Sequence, residues 1–155
     1  MINWPTTCVP KNRGGLRILD LERFARALRL RWLWLRWTVK EKAWAGMPLP
    51  CDKVDVDLFN ASTIVTIGNG KMADFWGSSW IEGQAPKNMA PNLYKKARRK
   101  NITVFKALRN NYWIRFCAPF TREEEVREFV SLWHSISSTH NLNDLDDTII
   151  WRWSA

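Results

Sequence analysis

The stretch from Gly14 to Trp37 constrains this chain more than any other. It opens on Gly14-Gly15-Leu16 and continues as Asp20-Leu-Glu-Arg-Phe-Ala-Arg-Ala-Leu-Arg-Leu-Arg-Trp-Leu-Trp-Leu-Arg-Trp37. The paired glycines mark a turn, and the run behind them holds no Gly or Pro to interrupt a helix. Asp20 stands where an N-cap belongs, with Arg23 at the position where a capping box carries Glu. At 100° per residue Leu21, Phe24, Ala25, Leu28, Trp32 and Leu35 share one face. The other side begins charged, at Arg23 and Arg26, and turns apolar at Leu30, Leu33, Trp34 and Trp37. This pattern predicts a long helix over 20–45, amphipathic at first and buried on two sides later. The arginines are scattered in angle. They suit stems laid over apolar neighbours better than a stripe that reads a nucleic-acid groove.

The rest of the chain is less regular. Residues 1–19 are irregular, with Pro5 and Pro10, and look like the tail of a preceding segment. Residues 46–92 form a loop and hairpin region. Pro48 and Pro50 open it, and Val54, Leu58 and Phe59 suggest a short helix. Ile64–Ile67, the turn Gly68-Asn-Gly70 and Lys71–Trp76 then predict a central β-hairpin. Residues 93–155 begin with Lys95-Lys96-Ala-Arg98-Arg99-Lys100, the densest charge cluster. Thr103 can cap a short helix to Arg109, and Tyr112, Trp113, Ile114 and Phe116 read as packing residues. Thr121-Arg-Glu-Glu124 reads as a capping box opening a second amphipathic helix to about Ser137. Asp144 to Asp147 read as a solvated turn. Thr148 to Trp153 read as a C-terminal strand without a partner, which suggests truncation. The fold class is α+β, mainly helical, as one domain or a fragment.

Charge is unevenly placed along the 155 residues. The net +9 divides into +7 over residues 1–50, +5 over 51–110 and −3 over 111–155. That gradient fits a polyanion-binding surface on the front of the chain, and equally a pairing of its own two ends. Eleven tryptophans spread over the sequence are expected mostly in cores or contacts. Cys8, Cys51 and Cys117 are odd in number and far apart, which argues against a disulfide framework. With no signal peptide and no apolar run of membrane-spanning length, an intracellular protein is expected, away from membranes.

Catalytic chemistry finds no constellation. His134 and His140 lack the nearby cysteine pairs of a zinc site, so neither metal nor cofactor is expected. Asp52, Asp55, Asp57 and Asp74 are candidates for two-metal chemistry only in number; helix-start and turn roles explain them. Nothing frames a cysteine as a nucleophile. Nucleic-acid contact is better supported. Lys95, Lys96, Arg98, Arg99 and Lys100 can neutralise phosphates, or else form a solvated helix face. Trp76 and Trp80 can stack on bases if they are exposed.

One resemblance gathers these landmarks. Cys8-Val-Pro10-Lys11, Gly14-Gly15-Leu16-Arg-Ile18-Leu-Asp-Leu21 and Ala27–Trp34 resemble the region after the polymerase core in plant LINE-type non-LTR retrotransposon reverse transcriptases. Thr66-Ile67-Gly68-Asn-Gly70, Phe75-Trp76, Ser79-Trp80 and Ile150-Trp151-Arg-Trp153 are similar to later landmarks of that region. Many relatives carry Gly at the position of Arg17. The resemblance implies a connecting segment between a polymerase palm and a zinc-binding segment. RNA or DNA, or either neighbouring segment, would be its partner. No Tyr-x-Asp-Asp box and no Cys/His ligand set lie in this chain, so no activity carries over. The resulting expectation is a non-catalytic nucleic-acid-contacting fragment, with a scaffold fragment or an inert remnant as the alternatives.

Overall fold

The computed structural model describes residues 3–39, 47–117, 119–139 and 142–153. Helices dominate, joined by a two-stranded antiparallel sheet, so the expected mainly helical α+β class holds. The chain divides into two compact units, residues 1–56 and 57–155, each described in turn.

The first unit begins with α1 (Trp4–Thr7) and a 3-10 turn at Lys11–Arg13. The chain then doubles back, with Leu16 N–H donating to Thr7 O at 3.0 Å and Arg17 N–H to Val9 O at 3.1 Å. Both glycines are needed here. Gly14 is left-handed at φ 81°, and any Cβ on buried Gly15 would collide with the Val9 carbonyl. Arg17 is also left-handed, at φ 56°, a conformation glycine adopts without the penalty a Cβ brings.

Helix α2 (Leu21–Thr38) follows, and Asp20 caps it by accepting from the N–H groups of Glu22 and Arg23. It is shorter than expected: Val39 is extended, and residues 40–45 of the predicted helix, Trp44 included, lie outside the described residues. The face it buries is also not the face the apolar pattern selects. Leu21, Phe24 and Leu28 are exposed by 63%, 51% and 42%, whereas Leu33 is buried.

The reason lies in α3 (Lys53–Ser62). Fully buried Asp55 accepts from Arg29 Nε at 2.6 Å and lies 3.6 Å from Arg26 Nε. Those two arginines, one turn apart, therefore turn the Arg26–Arg29 side of α2 towards Asp55. Asp52 and Asp55 also form a reciprocal cap, each accepting the other's backbone N–H, at 2.7 and 3.1 Å. The expected helix around Val54–Phe59 is present.

The second unit carries the main core. Strand β1 (Thr63–Thr66) pairs with β2 (Thr148–Trp151), Thr63 opposite Trp151 and Thr66 opposite Thr148. This corrects two expectations at once. The predicted hairpin between 64–67 and 71–76 does not form, and the C-terminal strand has a partner.

What replaces the hairpin is a loop wound around one carboxylate. Asp147, read from sequence as part of a solvated turn, is buried and accepts four backbone N–H groups. Oδ1 takes Gly68 and Gly70 at 2.8 and 2.7 Å; Oδ2 takes Met72 and Ala73 at 2.9 and 3.2 Å. Neighbouring Asp146 accepts from Asn69 Nδ2 at 3.1 Å. A Gly-Asn-Gly run tolerates this winding, and a Cβ at Gly68 would collide with the Leu145 carbonyl.

Beyond the loop, Phe75 is the centre of an aromatic cluster. Its ring centroid lies 5.0 Å from Trp76, 5.7 Å from Trp80 and 5.7 Å from Trp113, and Trp113 continues to Phe129 at 5.4 Å. Trp80 Nε1 donates to Phe75 O, while buried Trp113 Nε1 has no hydrogen-bond partner among the described residues. The tryptophans are less uniformly buried than expected. Trp76, Trp80 and Trp113 are core, but Trp4, Trp32, Trp133 and Trp153 are exposed.

Four helices complete this unit: α4 (Pro86–Met89), α5 (Pro91–Lys96), α6 (Val104–Leu108) and α7 (Glu123–Thr139). Thr103 caps α6 as expected, accepting from Lys106 N–H. At α7 the reach back to Thr121 N–H comes from Glu125 at 3.0 Å, rather than from Glu124 as the capping-box reading had it.

Candidate nucleic-acid interface

The basic cluster runs off the end of α5 and is joined at Arg98 to a 3-10 segment, Arg109–Phe116. Two contacts from α7 place α5. Glu128 takes the Asn92 and Leu93 N–H groups at the helix start, at 3.0 and 3.1 Å. Glu125 takes Lys96 Nζ near the helix end, at 2.7 Å. Acid at the N-terminus and base at the C-terminus also suit the helix dipole. Lys96 further donates to Thr121 Oγ1 at 3.0 Å. The Lys96 ammonium, with the Thr121 N–H beside it, holds Glu125 below the usual carboxylate range despite its burial.

Lys96 is thus drawn into an internal ion pair, the pairing of basic middle and acidic rear that the charge gradient allowed. The other four sequence-predicted residues are exposed, and among the described residues no ion pair engages Lys95, Arg98, Arg99 or Lys100. Buried Ala97 anchors the strip from below, and Arg98 N–H donates to Phe116 O at 3.2 Å.

That backbone bond brings in residues that sequence spacing had assigned to packing. The Arg99 guanidinium lies over the Phe116 ring at 5.2 Å, Lys100 Nζ over Tyr94 at 4.9 Å and Arg115 over Tyr112 at 5.8 Å. Arg115 joins the cluster only because Asn110 and Asn111, at φ 55° and 52°, kink the chain out of the preceding helix. Asn is one of the few side chains that visits this region readily. The Asn-Asn pair was the available signal for that kink.

The aromatic half of the sequence reading is corrected. Trp76 and Trp80 are buried, so neither can receive a base.

The remaining candidates take local roles. Asp52 caps α3, Asp55 binds Arg29, and Asp57 pairs with Lys87 at 2.6 Å. Asp74 accepts from Gly77 N–H at 2.5 Å, and burial raises its carboxyl to about 6. Burial also pushes the Cys117 thiol up to about 11 and raises that of Cys51, the reverse of what a nucleophilic thiolate needs. His140 lies outside the described residues. Among those residues no group of three or more His, Cys, Asp or Glu side chains is placed to hold a metal ion, and no helix is long and apolar enough to cross a membrane.

No protein-family model matches this chain, and no curated protein and no solved structure is significantly similar to it.

Proposed function

We propose that this chain is a non-catalytic, nucleic-acid-contacting segment of a reverse-transcriptase-like protein. Its contact surface is Lys95, Arg98, Arg99, Lys100 and Arg115. The observation that carries this reading is the exposed basic strip around α5 and the 3-10 segment, free of ion pairs with carboxylates among the described residues. Cations already matched to acids gain little from phosphate; these have no such competitor. The family reading rests on the quoted sequence landmarks. Gly68, Gly70, Phe75, Trp76 and Trp80 among them occupy the Asp147-bound loop and the aromatic core, which explains why they mark a fold rather than an activity.

The test is binding of the full chain to a labelled generic oligonucleotide at low salt. Wild type should bind, and a variant carrying Arg98→Ala, Arg99→Ala, Lys100→Ala and Arg115→Ala should lose most of that affinity while keeping its helical spectrum. Equal binding by both proteins, or none by wild type, rejects the reading.

A second reading, docking on a neighbouring protein segment, is favoured by the exposed Leu21, Phe24 and Leu28 on one face of α2. Light scattering tests it: self-association of wild type that Leu28→Glu abolishes would support a contact face, and a monomer at all concentrations would count against it.

A further inference from the structure

We infer that the basic surface binds the sugar–phosphate backbone alone and leaves the bases unread. This deepens the nucleic-acid reading and rests on it.

Three aromatic rings lie among the cations, and proteins that hold single strands commonly offer such rings to bases as stacking platforms. Here each ring already has a cation over it and a second ring against it. Phe116 has Arg99 over it at 5.2 Å and meets Tyr112 edge-on at 4.6 Å. Tyr112 has Arg115 over it at 5.8 Å and Phe116 beside it. Tyr94 has Lys100 over it at 4.9 Å and Trp76 on it at 5.6 Å.

A base stacking on the cation-bearing face of any of these rings would have to displace a cation that is itself attracted to phosphate. The rings act instead as supports that hold flexible cations in place, reducing the side-chain entropy lost on binding. Trp76, the large ring that touches Tyr94, is buried and cannot take over. Contacts made only to phosphates position a nucleic acid without discriminating sequence.

The discriminating experiment measures binding of the full chain to labelled 20-nucleotide oligo-dT, oligo-dA, mixed RNA and a matched DNA duplex, each through a salt series. Backbone binding predicts affinities for the two homopolymers within about threefold. Five phosphate-neutralising cations predict log–log salt slopes of roughly −3.5 for single strands and −4.5 for the duplex. Arg99→Ala should flatten the single-strand slope by about 0.7. Phe116→Leu, which keeps an apolar side chain in place, should change affinity by no more than about threefold and leave the slope intact.

A single-strand preference over duplex of more than tenfold, or a larger loss from Phe116→Leu than from Arg99→Ala, overturns the backbone-only inference while the nucleic-acid reading survives. Absence of binding at low salt overturns both.

Discussion

Asp147 and Gly68, 79 positions apart in sequence, are joined by a 2.8 Å hydrogen bond from the glycine N–H to Oδ1 of the carboxylate. The same side chain collects Gly70, Met72 and Ala73, so the C-terminal segment is structurally continuous with the loop after β1. This one side chain satisfies four donors that would otherwise be left without partners in a largely buried loop.

Replacing Asp147 should therefore be among the most damaging single changes in residues 57–155. Asp147→Ala is expected to cost roughly 3–5 kcal/mol, because several buried N–H groups lose their acceptor together. Asp147→Asn should cost less, about 2–3 kcal/mol, since its amide oxygen can serve one pair of donors while its NH2 faces the other pair. Urea unfolding checks both, and an Asn variant as stable as wild type would contradict the four-donor geometry.

At the adjoining glycine the constraint is steric. Gly68→Ala places a methyl against the Leu145 carbonyl, which belongs to backbone that cannot swing aside like a side chain. A loss of about 2 kcal/mol is expected, in the range of overpacking in a tight site. Thermal unfolding of Gly68→Ala beside Asn69→Ala checks it, the latter losing only exposed contacts, to Asp146 and to the Lys71 N–H.

Arg17 offers a change in the opposite direction. Its left-handed backbone costs a side-chain-bearing residue about 1–2 kcal/mol, partly offset by the greater flexibility of glycine when unfolded. Arg17→Gly should stabilise residues 1–56 by about 0.5–1 kcal/mol. Protection of the Leu16 and Arg17 amides in hydrogen exchange, compared between the two proteins, is the appropriate local measurement.

Two acids give opposite pH responses. The Arg29 hydrogen bond, opposed by burial and aided by the Asp52 N–H, holds the Asp55 carboxyl below the usual carboxylate range. Its folded value lies below the unfolded one, so its stabilisation is present above about pH 4 and is lost as pH falls through the folded value. Asp55→Asn should lower stability at neutral pH and flatten the acid limb of the stability curve.

Asp74 works the other way. Burial raises it to about 6, above its unfolded value, so ionising it opposes folding and its effect grows as pH climbs from about 4 towards 6. Asp74→Asn keeps an acceptor for the Gly77 N–H. It should raise stability near pH 7 by about 1–2 kcal/mol and remove the gain otherwise seen on mild acidification. Denaturation midpoints measured from pH 7 down to pH 3 for both variants separate the two contributions.

Local rules were enough wherever the deciding groups were neighbours in sequence. Asp20 and Thr103 cap the helices they precede, Gly14 and Gly15 make the turn they announce, and α7 forms over the run expected to be helical, although Val126, Val130 and Trp133 of its apolar spacing stay exposed. They misled where the partner was remote. The run 64–76 carries a good hairpin pattern, yet β1 pairs with β2 because Asp147 binds Gly68 and Gly70 and so withdraws that turn. Apolar periodicity selected one face of α2, and a buried carboxylate at Asp55 selected another, since an uncompensated buried charge costs more than an exposed leucine.

For the candidate surface, the sequence alone determined that cations cluster at 95–100, because side-chain charge is a property of each residue. Tertiary structure alone decided which of them face solvent. It assigned Lys96 to Glu125, joined the segment that carries Arg115 to the basic strip through the Arg98–Phe116 backbone bond, and buried Trp76 and Trp80. Pairing, exposure and ring stacking depend on which distant residues share a place, and that is settled only when the core closes.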